Sequence, residues 1–143
     1  MEIVLTRFAE ARKGIESVRN EVFGQEQGVA PEIDWDGKDD QCQHVAAVKA
    51  GAETIGTGRL APDGKIGRLA VLRAYRGQGV GRAMLEQLVS AAEKRGLERV
   101  FLHAQTHALA FYESAGFVAE GEVFVEAEIE HVLMARACSR SLD

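Results

Sequence analysis

A glycine-rich segment in the middle of the chain has the residue types and spacing best suited to bind a ligand. It reads Arg76-Gly77-Gln78-Gly79-Val80-Gly81-Arg82 and lies between a predicted strand and a predicted helix. The start of a helix carries unpaired backbone N–H groups and a partial positive charge, and glycine lets a ligand approach that backbone closely. The segment therefore predicts an anion site suited to phosphate or pyrophosphate.

Other readings of glycine-rich sequence explain this segment less well. The chain has no GxxxxGK[ST] string, which a P-loop requires. Residues 56–61 match the GxGxxA form of a dinucleotide-binding motif, but a Pro-Asp-Gly turn follows where that motif needs a helix. A tight turn would not need three alternating glycines, and Gly81 inside a helix costs about 1 kcal/mol relative to alanine.

Charge is unevenly distributed along an acidic chain. The formal net charge of −5 argues against a nucleic-acid-binding protein. Residues 64–85 contain five basic residues and no acid, residues 20–44 contain seven acids and one lysine, and residues 120–130 contain five glutamates. Most such runs are solvated surface. The basic run is the one that we expect to face an anion, because the glycine segment lies inside it.

Length and composition fit one domain, which we expect to span residues 1–143. No apolar run approaches the roughly 20 residues that span a bilayer, and residues 1–7 lack the pattern of a signal peptide. Cys42 and Cys138 form no CxxC pair, as is usual in a reducing compartment. We therefore predict a cytoplasmic protein with no nucleic-acid or membrane partner.

The elements that must position the glycine segment alternate between strands and helices. Their order, β-α-β-β-β-α-β-α-β-β, predicts an α/β fold with a mixed sheet of about seven strands and helices on both faces. The strand–helix–strand unit around the glycines predicts that its two strands run parallel. The polar stretch 25–43 is longer than a usual connection, and such loops are commonly functional or mobile. The predicted strands are 3–6, 44–50, 54–60, 66–72, 100–104, 117–120 and 131–135, and the predicted helices are 9–23, 81–94 and 107–114.

Three motifs together resemble the GNAT superfamily of N-acetyltransferases. The R-x-x-G-x-G string at residues 76–81 is similar to the family's acetyl-CoA pyrophosphate loop. Residues 68–71 resemble the family's fourth strand, whose backbone pairs with the pantetheine arm, and residues 108–117 resemble its late helix, often A-x-x-F-Y-E-x-x-G-F. Further residues resemble the ElaA-like and YjcF-like subgroup: Val18, Arg19, Val22, Phe23, Glu26, Gln27, Asp34, Asp36, Phe124, Glu126, Ile129, His131 and Met134.

The resemblance implies an enzyme that transfers an acetyl group from acetyl-CoA to a primary amine by direct attack. A non-catalytic acyl-CoA-binding sensor module of the same fold is the alternative. The resemblance also leaves a homodimer open. The residues implied to bind acetyl-CoA are Leu69, Ala70, Val71, Arg76, Gly77, Gln78, Gly79, Val80, Gly81, Arg82, Gln105, Phe111 and Tyr112.

Such a transfer needs a proton for the leaving thiolate and a neutral amine. The family's late-helix tyrosine is the acid, and Tyr112 matches it, although a packed core aromatic is the alternative. An asparagine often stands seven residues before that tyrosine, where this chain has Gln105. Some members place a glutamate base where this chain has Lys65, so that role does not carry over.

A lysine-like amine is neutral roughly once in a few thousand molecules at pH 7, so either a base or desolvation that lowers the amine pKa has to help. A base would come from elsewhere in the chain or act through water. We predict Glu26 in the acidic loop and His103, which ends a strand where ligands gather in α/β sheets. Asp34, Glu126 and His131 are further candidates. The four histidines show no metal-ligand spacing, which predicts no metal site. The acidic stretches would attract a cationic acceptor, a small amine or a peptide amine.

Overall fold

The order of strands and helices is the one that the sequence predicts. The computed structural model describes residues 1–139. One short turn of helix, Pro31–Asp34, lies inside the stretch predicted as a loop. The elements are β1 (Glu2–Arg7), α1 (Phe8–Arg19), α2 (Pro31–Asp34), β2 (Gln43–Lys49), β3 (Glu53–Leu60), β4 (Ile66–Val71), α3 (Val80–Lys94), β5 (Arg99–Gln105), α4 (Leu109–Ser114), β6 (Val118–Glu126) and β7 (Ile129–Ala137).

The seven strands form two antiparallel sheets that meet at one point. One sheet has the order β1-β2-β3-β4 and the other β5-β7-β6. The predicted parallel pairing of β4 with β5 is confined to a single bridge between Lys65 and Phe101. Beyond that bridge, no further pairing between β4 and β5 occurs within the described part of the chain. The inner edge of β4 is therefore left open toward β5.

A β-bulge at Arg68 interrupts β4 on the side that pairs with β3. Thr57 pairs with Ala70 and Arg59 with Gly67, so Gly58 faces two residues of β4. Arg68 takes the left-handed backbone conformation, with φ of 52°. A bulge bends its strand and redirects a side chain, and here it lies next to the open edge of β4.

Helices cover both faces of the four-stranded sheet. On one face, Val18 of α1 and Val22 pack with Ala70 of β4. On the other, α3 buries Met84, Leu85 and Leu88 against β2 and β3. The chain's GxGxxA match serves this packing, because a Cβ on the glycine at 56 would lie 2.9 Å from the Met84 side chain. A close approach of helix and sheet therefore explains that glycine.

Two boundaries differ from the sequence prediction. The first helix does not end near residue 23: its α-helical part ends at Arg19 and continues as a wider π-helical segment, Asn20–Glu26. The strand predicted at 117–120 extends to Glu126, and its partner begins at Ile129. Almost all of β6 is exposed, so its side chains lack the apolar alternation by which a strand is recognised.

Candidate active site

The divergence of β4 and β5 opens a cleft of about 1670 Å³. Pockets for one small ligand usually measure roughly 300–1,000 Å³, so this cleft has room for a long ligand and a second molecule. Of the predicted site residues, all but Gln78 line this single cleft. The residues brought together are Glu26, Leu69, Ala70, Val71, Arg76, Gly77, Gly79, Val80, Gly81, Arg82, His103, Gln105, Phe111 and Tyr112.

The glycine segment forms the turn into α3 and presents free backbone donors to the cleft. Gly77 and Gly79 have φ of 75° and 84°, which other residues adopt at a cost. Gly79 caps the helix without a side-chain hydrogen bond. Within residues 1–139, none of the six N–H groups from residue 77 to residue 82 has a hydrogen-bond acceptor. The α3 N-terminus thus offers the donors that an anionic ligand needs.

The predicted base Glu26 is tied to the predicted cofactor residue Arg76. The Arg76 guanidinium donates from Nη1 and Nη2 to the two carboxylate oxygens of Glu26, both at 2.7 Å. Its Nε donates to the Val71 carbonyl at 2.8 Å. The hydrogen bonds from Arg76 outweigh burial and lower the pKa of the Glu26 carboxyl. Glu26 is therefore better placed to hold Arg76 than to accept a proton.

Tyr112 lies on α4, where it packs against the core and lines the cleft. The ring packs edge-on against Phe111, with centroids 5.0 Å apart, and against Phe117 at 6.0 Å. Burial raises the pKa of the phenol to about 12, so the hydroxyl stays protonated at neutral pH. No residue of the described chain accepts or donates a hydrogen bond at this hydroxyl group. It is therefore free to donate to a ligand.

His103 is paired with a glutamate from the neighbouring hairpin. Its Nδ1 lies 3.0 Å from Oε2 of Glu126, which follows Phe124 at the end of β6. Burial would raise the pKa of the Glu126 carboxyl, but the hydrogen bond with His103 and the nearby charges outweigh it and lower that pKa. Gln105, two residues further along β5, donates to Gln27 at 3.0 Å. The open side of β5 thus carries polar groups that face the ligand space.

A network of three arginines and three aspartates, buried at Arg19, Arg59, Asp34 and Asp39, holds the long segment that follows the π-helical turn. Arg19, only 1% exposed, donates to Asp34 at 2.9 Å and to Asp39 at 2.6 Å. Arg59 donates to Asp36 at 2.6 Å and to Asp39 at 2.9 Å.

Arg68 completes the network from the bulge in β4. It donates to the carbonyl groups of Ile33 and Asp34 at 3.0 and 3.1 Å, and its guanidinium lies 3.2 Å from the Asp34 carboxylate. The segment expected to be a mobile or functional loop is therefore fastened to α1, β3 and β4, and it forms one wall of the cleft.

Sequence reasoning missed these arginines as site-forming residues. Arg59 and Arg68 stand nine positions apart on adjacent strands, and Arg19 comes from the first helix. Arg19 and Arg68 stand in strings that resemble the family, but the signal that they have charged partners was the excess of acids in residues 20–44, since buried carboxylates require such partners. Nothing local in the sequence says which arginines those partners are.

The comparison with known proteins fits this geometry. Residues 10–138 match the model of the acetyltransferase (GNAT) domain. This chain belongs to the GNAT acetyltransferase family. The uncharacterized N-acetyltransferase YjcF of Bacillus subtilis is 34% identical over 140 residues, which cover 95% of this chain and 99% of YjcF.

Solved GNAT structures share the fold along almost the whole chain. The crystal structure of Escherichia coli ElaA matches with a TM-score of 0.84 at 29% identity, covering 95% of this chain and 99% of ElaA. The predicted likeness to the ElaA-like and YjcF-like subgroup is confirmed. An aminoglycoside 6'-N-acetyltransferase complexed with coenzyme A matches with a TM-score of 0.80 over 100% of both chains. At 16% identity, that match shows the fold alone.

The described residues form neither a metal-binding cluster nor a membrane-spanning helix. In residues 1–139, no group of three or more His, Cys, Asp or Glu side chains is placed to hold a metal ion. None of the described helices is long and apolar enough to cross a membrane.

Proposed function

We propose that this chain is an acetyl-CoA-dependent N-acetyltransferase whose acceptor is a primary amine. The observation that carries the proposal is the run of backbone N–H groups from Gly77 to Arg82, which have no acceptor within residues 1–139. All of these residues except Gln78 line the same cleft as Tyr112. Donors for a pyrophosphate and a proton donor for a leaving group then belong to one site. Residues 1–143 are proposed to form this single domain.

The residues present suit acetyl-CoA, which supplies an acetyl thioester at the end of a long anionic carrier. The N–H groups of residues 77–82 would bind its pyrophosphate, with Gln78 and Arg82 at the rim of the loop. The open edge of β4 at residues 69–71 would pair with the amide groups of the pantetheine arm, as an added strand pairs with a sheet edge. Arg76, held by Glu26, would keep the loop in place, and Phe111 and Gln105 would border the arm.

Tyr112 is proposed to protonate the thiolate as the C–S bond breaks. Its buried position keeps the phenol protonated at pH 7, and its hydroxyl is not engaged by another described residue. The nucleophile is the nitrogen of the acceptor, which forms the new C–N bond. The acyl group therefore passes directly from sulfur to nitrogen, without a covalent bond to the protein.

The acceptor is proposed to be a small cationic amine or a peptide amine. Of the seven acids in residues 20–44, Glu26, Asp34, Asp36 and Asp39 are paired with arginines. Two cleft acids form no ion pair with lysine or arginine in the described chain: Asp63 and Glu126. Attraction of a cationic group would come from these two rather than from the loop. A cytoplasmic location is proposed because both cysteines are free thiols.

The test is the thermal unfolding midpoint with and without acetyl-CoA for wild type, Gly79→Glu and Gly51→Glu. Gly51 is the matched control: it has φ of 92°, against 84° for Gly79, and a Cβ at either position meets nothing within 4 Å. Both substitutions add the same strain and charge, but Gly51 lies in the β2–β3 turn away from the cleft. Ligand at a hundred times its dissociation constant should add about 2.7 kcal/mol of stability.

We expect acetyl-CoA to raise the midpoint of wild type and Gly51→Glu but not of Gly79→Glu. Release of the CoA thiol in the presence of primary amines then separates an enzyme from an acyl-CoA sensor, which would bind without turnover. An equal rise in all three proteins would mean that the pyrophosphate does not bind at this loop. No rise in any of them would refute the acetyl-CoA site.

A further inference from the structure

A hydrogen-bonded pair, His103 and Glu126, stands in the cleft on the opposite side from the β4 edge. His103 belongs to β5 and Glu126 ends β6, and the two strands are separated by β7. Both side chains line the same cleft as Tyr112 and the glycine segment. We propose that His103 is the general base that removes a proton from the acceptor amine, and that Glu126 is its positioning residue. This inference rests on the proposed function.

The hydrogen bond fixes which nitrogen of His103 can act. A carboxylate oxygen only accepts hydrogen bonds, so His103 Nδ1 must donate to Glu126 Oε2. The lone pair of the neutral ring then lies on Nε2, which has no partner among residues 1–139. An imidazole oriented in this way by a carboxylate is a common arrangement for proton transfer.

Aromatic packing holds the ring in place. The Phe124 ring meets His103 edge-on, at 5.0 Å and 84°, and stacks on His131 at 5.9 Å and 22°. His131, on β7, is itself fixed by a hydrogen bond from its Nδ1 to the Ile129 carbonyl at 2.7 Å. Besides His103, the charged and titratable groups that act on Glu126 are His131 on β7 and Lys65 beside β4. Neither of these two is an acid.

Glu26, the other predicted base, is less able to accept a proton than His103. Both oxygens of Glu26 accept hydrogen bonds from Arg76, and these bonds lower the pKa of Glu26. Asp34, a further candidate, is 3% exposed and bound to Arg19 and Arg68. A carboxylate engaged in this way accepts a proton poorly. By contrast, the Nε2 atom of His103 has no hydrogen-bond partner among residues 1–139, so it is available to accept a proton.

The turn that follows Glu126 has a conformation that its residues do not favour. Ala127 and Glu128 have φ of 53° and 63°, and a two-residue hairpin of this kind is usually formed by Asn-Gly. Non-glycine residues held in this conformation by the surrounding structure cluster at functional sites. Here the turn sets the end of β6, and Glu126 and Ala127 both line the cleft. The strained turn thus supports a functional position for Glu126.

The proton balance of the proposed step is complete. His103 Nε2 takes one proton from the acceptor ammonium, and the freed lone pair forms the C–N bond. The thiolate takes a proton from Tyr112 as the C–S bond breaks. The second proton lost by the nitrogen replaces the one given by Tyr112, and His103 returns its own to solvent. No oxidant, reductant or further reactant is needed.

The test compares wild type, His103→Gln, Glu126→Gln and the control Glu120→Gln. Glu120 is on the same strand as Glu126, is exposed and contacts Arg99 at 3.4 Å outside the cleft. CoA thiol release is followed from pH 6 to 9 with a lysyl amine, with a peptide α-amine and with water as the only acceptor. Acetyl-CoA binding is followed by the unfolding midpoint, and the His103 tautomer by nitrogen-15 NMR.

We expect His103→Gln to lose about 10²- to 10⁴-fold in kcat, the usual range for a general base, with unchanged acetyl-CoA binding. The loss should be smaller for the α-amine, whose pKa of about 7.7–8.0 lies well below the roughly 10.4 of a lysyl amine. Glu126→Gln should lose less activity and shift the His103 tautomer, and Glu120→Gln should change neither.

Three other results are decisive. Turnover by His103→Gln within a few-fold of wild type, with every acceptor, would overturn the base assignment while leaving the acetyltransferase intact. Failure of wild type to bind acetyl-CoA would instead overturn the proposed function. Binding of acetyl-CoA with no thiol release to any acceptor, water included, would show a sensor and overturn the base as well.

Discussion

Replacing Arg19 by alanine should destabilise the fold strongly, because it opens the buried ionic network at its centre. The Arg19 side chain is 1% exposed and donates four hydrogen bonds to Asp34 and Asp39, between 2.6 and 3.1 Å. The guanidinium also stacks on Trp35, 3.9 Å from the ring centroid. Its removal leaves two buried carboxylates short of a partner.

The magnitude follows from which partners remain. Removing one member of a buried ion pair typically costs about 3–5 kcal/mol. Asp34 keeps Arg68 and Asp39 keeps Arg59, so we expect a loss near the lower end, about 3 kcal/mol. For a domain of this size, each kcal/mol lowers the unfolding midpoint by roughly 2–4 °C. The Arg19→Ala variant should therefore melt on the order of 10 °C below wild type.

The assay is denaturant unfolding of Arg19→Ala beside Arg12→Ala, a control on the same helix. Arg12 contacts Glu16 at 2.6 Å, but the two side chains are 67% and 39% exposed. Exposed pairs contribute about 0–1 kcal/mol, so the control should stay close to wild type. Amide hydrogen exchange should accelerate in residues 31–41 of Arg19→Ala alone. Equal stability losses in the two variants would refute the argument that burial decides the value of these pairs.

Two further predictions concern residues that border the cleft. Hydrogen bonds from Arg59 hold the pKa of Asp36 far below its ordinary value, so the pair should stabilise the fold fully above the unfolded pKa of about 3.9 and lose that contribution as pH falls further. Asp36→Asn should therefore be less stable than wild type at pH 7 and show a smaller loss of stability between neutral and acid pH, measured by urea unfolding; parallel pH curves would contradict this. The double change Ala127→Asn with Glu128→Gly should stabilise the domain by about 1 kcal/mol. Each left-handed non-glycine residue costs roughly 1–2 kcal/mol, but the added glycine offsets part of this gain because it increases the conformational entropy of the unfolded chain. An unchanged or lowered unfolding midpoint would show that the hairpin turn is not strained.

The sequence predicts the fold well because the fold depends on local patterns. The spacing of Met84, Leu85 and Leu88 marks α3 on its own, and the glycine segment marks its beginning. The predicted start and end of this helix agree with Val80–Lys94. The π-helical continuation of α1 had no such signal, because its side chains satisfy α-helical spacing equally well.

Only those parts of the site that lie within a single sequence motif could be predicted. The glycine segment and Tyr112 lie in recognisable strings, and the structure brings both into one cleft. The pairing of Glu26 with Arg76 joins residues 50 positions apart, and that of His103 with Glu126 joins residues 23 apart. Such pairs depend on how strands diverge and how hairpins extend, and neither is encoded in a short stretch of sequence.

The charge of the cleft shows why residue counts along the chain mislead about the acceptor. The acidic stretch around Asp34 and Asp36 suggested an anionic wall, yet the described cleft is lined by seven Lys or Arg residues and five Asp or Glu residues. Arginines distant in the sequence neutralise the loop, so the balance favours an anionic ligand such as a pyrophosphate. Long-range attraction of a cationic acceptor then cannot come from the cleft as a whole. The proposed cationic acceptor would therefore be discriminated at short range, by Asp63 and by Glu126, the acid bound to His103.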